Sequence, residues 1–159
     1  MNASAMPALT AGLRVVEVAD GFVEGPELVR VPDAEYLAAC IRHTCVEVRQ
    51  FGGAPKVYLN LRLLDAGAHT DKELFRAYRV LRVIDRQRFI MGRRSDLLKM
   101  YARVMEVPDH RQRLDRISLR ALRGMLLIIR TRTIDHDSKG RELPEALRYS
   151  VVDDILRRG

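Results

Sequence analysis

The stretch KVYLNLRLL (residues 56–64) alternates strictly: Val57, Leu59, Leu61 and Leu63 are apolar, while Lys56, Tyr58, Asn60 and Arg62 are polar. A period of two is the signature of a strand with one face in a core and one in water. The wet side is unusual. It carries two cations, an amide and an aromatic instead of the Glu, Lys and Ser of an ordinary surface.

Working outward, "GGAP" at residues 52–55 is a turn before this strand, and "DAGAHTDKE" a loop after it. Upstream, "VPDAEYLAACIRHTCVEVRQF" reads as a long strand entered through Pro32, with a short strand possible at residues 13–18. Downstream, "LFRAYRVLRVI" is rich in aromatic and β-branched residues and reads as a third strand. The period then changes. "RRSDLLKMYARVMEV" sets Leu97, Leu98, Tyr101, Val104 and Met105 on one helical stripe, with Ser95 as N-cap, Asp96 at the positive end of the dipole and Pro108 as the stop. A basic connector follows, then a helical turn over residues 118–123, a strand opened by Gly124, a polar loop over residues 135–147 and a last segment, "RYSVVDDILRR", that fits a strand or a short helix. The expected fold is an all-β barrel with one inserted helix, an OB-fold-like five-stranded barrel with the helix between its third and fourth strands.

The totals agree with one domain, residues 13–159, behind a loose N-terminus, residues 1–12. No apolar run is long enough to span a membrane, and the first residues lack the basic and apolar regions of a signal peptide. The expectation is a cytoplasmic protein. Cys40 and Cys45 lie five apart, which in a regular strand puts them on opposite faces as separate buried thiols.

Net charge is +7, and it is uneven: residues 1–75 carry −3 and residues 76–159 carry +10. Such asymmetry points to a polyanionic partner. Of the cations, 24 are Arg and 4 are Lys, which favours forked contacts to phosphate and stacking on bases, although an Arg-rich codon bias would give the same ratio.

No HExxH, nucleophile elbow, P-loop or GxGxxG occurs, and the four histidines lie in four separate segments. "DHD" at residues 135–137 could in principle hold a metal for a nuclease, but it reads more simply as a solvated hairpin end. The expectation is a non-enzyme without cofactor or metal. On the third strand, Phe75, Ala77, Leu81 and Val83 are expected to face inward, and Arg76, Tyr78 and Arg82 outward beside Tyr58, Asn60 and Arg62. Tyr58 and Tyr78 would stack on bases, Lys56, Arg62, Arg76 and Arg82 would follow the phosphates, and Arg86, Arg88, Arg93 and Arg94 would extend the path. Lys139 and Arg141 in the loop over residues 135–147 would close over the ligand, with the loop over residues 50–55 at the other flank.

The blocks "PDAEYLAACI", "GGAPKVYLNLRLLDAG", "LFRAYRV" and "SDLLKMYARVM" also resemble small proteins of phages and integrated mobile elements, a group that resembles OB-fold phage single-strand-binding proteins. The resemblance covers about residues 30–156. It implies a protein that binds single-stranded DNA in preference to RNA, without strong sequence preference, in replication, recombination or maintenance of an element. It also implies a possible homo-oligomer or an element-encoded or host protein partner. The chain ends in "DDILRRG", where familiar single-strand-binding proteins have an acidic recruiting tail. The alternative is a protein-binding adaptor or inhibitor whose basic half docks on an acidic or DNA-binding host partner.

Overall fold

A computed structural model describes residues 28–47, 54–106 and 117–159. The expected strand at residues 13–18, the N-terminus, most of the loop over residues 50–55 and the connector before Ile117 lie outside these residues.

Five strands form one antiparallel sheet: β1 (Glu35–Val46), β2 (Lys56–Leu63), β3 (Glu73–Arg79), β6 (Leu126–Ile134) and β7 (Tyr149–Arg158), in the order β3-β2-β1-β6-β7. Two very short strands, β4 (Arg82–Val83) and β5 (Phe89–Ile90), pair as a separate ribbon. The single helix, α1 (Asp96–Val104), follows them. The C-terminal segment is a strand, paired with β6 along its length.

The alternation of β2 decides the layers. Val57, Leu59, Leu61 and Leu63 are fully buried, and the inner residues of β1, β6 and β7 meet them: Ala38, Cys40, Leu127, Ile129, Val152 and Ile155. Helix α1 covers this core with Leu97, Met100 and Val104. The Ser95 side chain caps the helix, accepting a hydrogen bond from the Leu98 N–H at 3.1 Å. The helix ends at Val104, two residues before Glu106 takes a φ of 52°. Strand β1 starts at Glu35, not Pro32, because the entering segment is held by isolated backbone bonds, Ser150 N–H to the Val29 carbonyl and Thr131 N–H to the Ala34 carbonyl, and by side chains instead of a continuous ladder. The Val31 N–H donates to Ser150 Oγ at 3.0 Å, and Thr131 Oγ1 donates to the Pro32 carbonyl at 3.0 Å.

Three expectations are corrected. The five-stranded sheet with one helix is present, with the helix between β3 and β6, but the sheet is not closed into a barrel. Edge strands β3 and β7 come close to each other without sharing ladder hydrogen bonds, and α1 packs on both. The third strand is also shorter than expected. It stops at Arg79, and Arg82 and Val83 leave the sheet for the ribbon, where Leu81 is 67% exposed.

The cysteines share a face. The register of β1 against β2 slips between Cys40 and Arg42, so Ile41 is an extra residue and both thiols point into the core, opposite Leu61 and Val57. About 16 Å of strand still separates them, too far for a disulfide. Burial pushes both thiols up to about 11, with the Asp85 carboxylate adding to the effect at Cys45.

At pH 8 the native protein is therefore expected to resist alkylation by iodoacetamide at both cysteines, and to take up two equivalents once unfolded. Mass spectrometry showing rapid native modification would contradict the shared inner face. Leu61→Ala should lower unfolding free energy by about 2–5 kcal/mol in a denaturant titration, and Ser95→Ala by about 1 kcal/mol.

Candidate functional site

Residues directly opposite in an antiparallel pair share a face. Lys56 pairs with Arg79, Tyr58 with Ala77, Asn60 with Phe75 and Arg62 with Glu73, without a register shift. The outer face of β2 and β3 is therefore built from these eight residues, and β1 adds Arg42 opposite Asn60 and Thr44 opposite Tyr58.

This ladder corrects the expected phase of β3. Leu74, Tyr78 and Val80 point inward and are buried, while Phe75, Ala77 and Arg79 point outward. Arg79, which interrupts the expected alternation, is in phase with the outer wall. Both parities of this segment hold apolar residues, and only the pairing with β2 selects Leu74 over Phe75 as the inward set. Tyr78 stands opposite fully buried Val57 and is only 3% exposed, so it cannot stack on a base. Arg76 shares its side of the strand, with its guanidinium 5.2 Å from the centre of the Tyr78 ring. Among the described residues, neither Arg76 Nε nor the Tyr78 hydroxyl has a partner in good hydrogen-bond geometry, although the Arg76 guanidinium is close enough to act on the phenol. Both are removed from the wall. Arg82 leaves it with the ribbon.

Tyr58 remains, and its aromatic companion is Phe75. Their ring centres are 5.6 Å apart and their planes tilted by 59°. Burial raises the Tyr58 phenol, and the neighbouring Tyr149 phenol, at the start of β7, adds to the rise. Tyr149 lies within electrostatic reach of Tyr58, whose ring contact is with Phe75. The ambiguous phase of β3 hides Phe75 from the sequence, and Tyr149 comes near Tyr58 only through the fold.

The cations divide into held and free. Glu73 accepts from Arg42 at 3.0 Å and from Arg62 at 3.2 Å, so both cations at that end are paired with one carboxylate and the cluster keeps a net charge of +1. At the other end, Lys56 and Arg79 face each other directly, and neither has an acidic partner among the described residues. Like charges placed opposite each other on a strand pair are unfavourable unless an anion lies between them.

The ribbon continues this basic end. Leu81 N–H donates to the Ile90 carbonyl and Cys45 N–H to the Arg86 carbonyl, which places the ribbon at the end of the sheet beside Lys56 and Arg79. Buried His43 is within 3.2 Å of the Gln87 carbonyl through Nε2, and its pKa is lowered chiefly by burial. Arg88 is held by Asp85 at 2.6 Å, while Arg82, Arg86, Arg93 and Arg94 are exposed and without acidic partners among the described residues.

The loop between β6 and β7 is internally bonded. Asp137 accepts from the backbone N–H groups of Lys139 and Arg141 and from Arg141 Nε at 2.8 Å, and Gly140 supplies the turn with a φ of 75°. Arg141 is therefore occupied, and the Lys139 ammonium is free of acidic partners among the described residues. Asp135 is bonded to His136 at 2.8 Å. Among the described residues, no three His, Cys, Asp or Glu side chains gather where they could hold a metal.

No helix of the described residues is long and apolar enough to cross a membrane. No protein-family model matches the chain, and no curated protein or solved structure is detectably similar to it.

Burial pushes the Tyr78 phenol up to about 12, against the opposing effect of the Arg76 charge. The folded state therefore favours the neutral phenol. Its contribution to stability is complete below about pH 10, the unfolded value, and is lost as pH rises towards 12. Chemical denaturation at pH 9 and 11.5 should show that alkaline loss. In Tyr78→Phe the pH-dependent loss should shrink by about 1–2 kcal/mol. An identical loss in the variant would contradict the buried phenol.

Proposed function

We propose that this chain is a non-enzymatic, OB-fold-like binder of single-stranded nucleic acid, DNA before RNA, acting in the upkeep of a phage or mobile element. The observation that carries this reading is the unneutralised Lys56–Arg79 pair beside the Tyr58–Phe75 rings. A phosphate between the two cations would relieve their repulsion, and an unstacked base could lie on the rings next to it. One step along a strand face is two residues, about 6.6 Å, which is close to the reach between a nucleotide's phosphate and base. Stacking on such rings is worth about 1–3 kcal/mol per base and tolerates any base. Duplex DNA keeps its bases stacked on each other and cannot use them.

The strand order β3-β2-β1-β6-β7, with the helix entering after β3, supports the OB-fold-like reading, with the gap between β3 and β7 as an open seam of the barrel. From the wall, Arg82, Arg86, Arg93 and Arg94 offer a continuing path for the backbone past the end of the sheet, and Lys139 offers a phosphate contact from the loop beside Tyr149.

A second reading, a protein-binding adaptor, is favoured by one feature. An open groove of about 920 Å³ runs between the ribbon and α1, lined by Ile84, Phe89, Ile90, Met91 and Leu98, with Arg93 at its side. Its apolar floor and basic edge fit an acidic peptide that carries apolar side chains.

Fluorescence anisotropy with labelled oligo-dT at several salt concentrations separates the two. The nucleic-acid reading expects binding that weakens steeply with salt. Lys56→Glu with Arg79→Glu should lower the log–log slope by about 1.4, two phosphate contacts at about 0.7 each. Tyr58→Ala should weaken binding by about 1–3 kcal/mol while the protein stays folded. No binding at low salt would sink the nucleic-acid reading and leave the adaptor. Lys139→Glu should weaken binding less than the wall variants. No change at all would exclude the loop from the site.

A further inference from the structure

Asn60 occupies a position that the stacking wall alone does not require. It lies on the outer face of the central stretch of β2, between Arg42 on β1 and Phe75 on β3. It is only 9% exposed, yet its amide has no hydrogen-bond partner among the described residues. Nor are its polar atoms sealed off, because among the described residues the only inaccessible unpartnered side-chain atoms are Arg76 Nε and the Tyr78 hydroxyl. The nearby donors are already committed, since Arg42 and Arg62 both point their guanidinium groups at Glu73. The amide is packed on its sides, and its accessible polar atoms are left to water or to a ligand. A Leu or Val would fill this place if packing were all that mattered.

We infer that Asn60 reads the edge of the base stacked on Tyr58 and Phe75, and that this single position of the wall favours a base with an exocyclic amino group, adenine or cytosine, over thymine. The inference rests on the nucleic-acid reading above. A carboxamide presents one acceptor and one donor side by side in a plane. Unpaired adenine, with its N6 amino group beside a ring nitrogen, and unpaired cytosine, with its N4 amino group beside N3, both offer the complementary pair. The neighbouring Glu73 carboxylate adds an acceptor-only surface on the same side, which suits an exocyclic amino group and disfavours the O4 of thymine. Neighbouring nucleotides touch rings and cations only, so the rest of the footprint stays indifferent to sequence.

The test compares four dT nonamers in the anisotropy assay: unmodified, and with one central adenine, one central cytosine or one central abasic site. The wild-type chain should bind the adenine and the cytosine oligomers each about tenfold more tightly than unmodified dT, which corresponds to about 1.4 kcal/mol of discrimination. In Asn60→Leu, nearly the same size and suited to a buried strand, the four oligomers should bind within about twofold of each other. The circular dichroism spectrum and denaturation midpoint of that variant show that the sheet still stands. Asn60→Thr, a smaller strand-forming residue, repeats the comparison if the Leu variant does not fold. Equal wild-type affinity for all three base-bearing oligomers, or a preference for the amino-bearing bases that survives both substitutions, overturns the inference while leaving the stacking wall intact. No binding to any of the four oligomers overturns the wall itself.

Discussion

The unbroken ladder between β2 and β3 is the constraint on which the rest depends. From Lys56–Arg79 to Arg62–Glu73 it runs without a slip, so the burial of four apolar side chains on β2 dictates the facing of every residue on β3. A one-residue slip would send Leu74 and Val80 into water and Phe75 and Arg79 into the core. The hydrophobic term that holds Val57, Leu59, Leu61 and Leu63 inside also holds Tyr58, Phe75, Lys56 and Arg79 together outside. The candidate site is in this sense the reverse side of the core.

Much of the fold was legible because its strongest signal is local. β2 announces itself by alternation, α1 by its apolar stripe and its Ser95 cap, and the five strands of the sheet by their bounding turns. The phase of β3 was not legible, since "LFRAYRV" holds an apolar or aromatic residue at both even and odd positions. Only the partner strand decides between them. The slip at Ile41 was hidden for a related reason. A bulge leaves no mark in the composition of β1, and it reverses the parity on which the placement of Cys40 and Cys45 relied. Closure was hidden too, because the meeting of two strand edges depends on the accumulated twist and coiling of all five strands.

Half of the candidate site could be read from residue types. Lys56, Tyr58, Asn60 and Arg62 fall on the outer wall where the alternation of β2 puts them. Tyr78 and Arg76 do not, although they carry the same chemistry, because the core claims their side of β3. Charge pairing was equally out of reach. Counting arginines does not distinguish Arg88 and Arg141, held by Asp85 and Asp137, from Arg93 and Arg94, which have no acid beside them among the described residues.

Glu73 gives the wall two unlike ends. It ties up Arg42 and Arg62 at one extremity, while Lys56 and Arg79 stand open at the other. A chain with a direction of its own, such as a polynucleotide, would not lie on such a surface equally well both ways round. The carboxylate acts as a resident rival to phosphate and makes one extremity a poor place for a backbone to cross. A surface that changes from two arginines sharing one carboxylate to two unpaired cations over six residues of strand therefore carries a polarity, and a ligand with a direction of its own would meet it differently at each end.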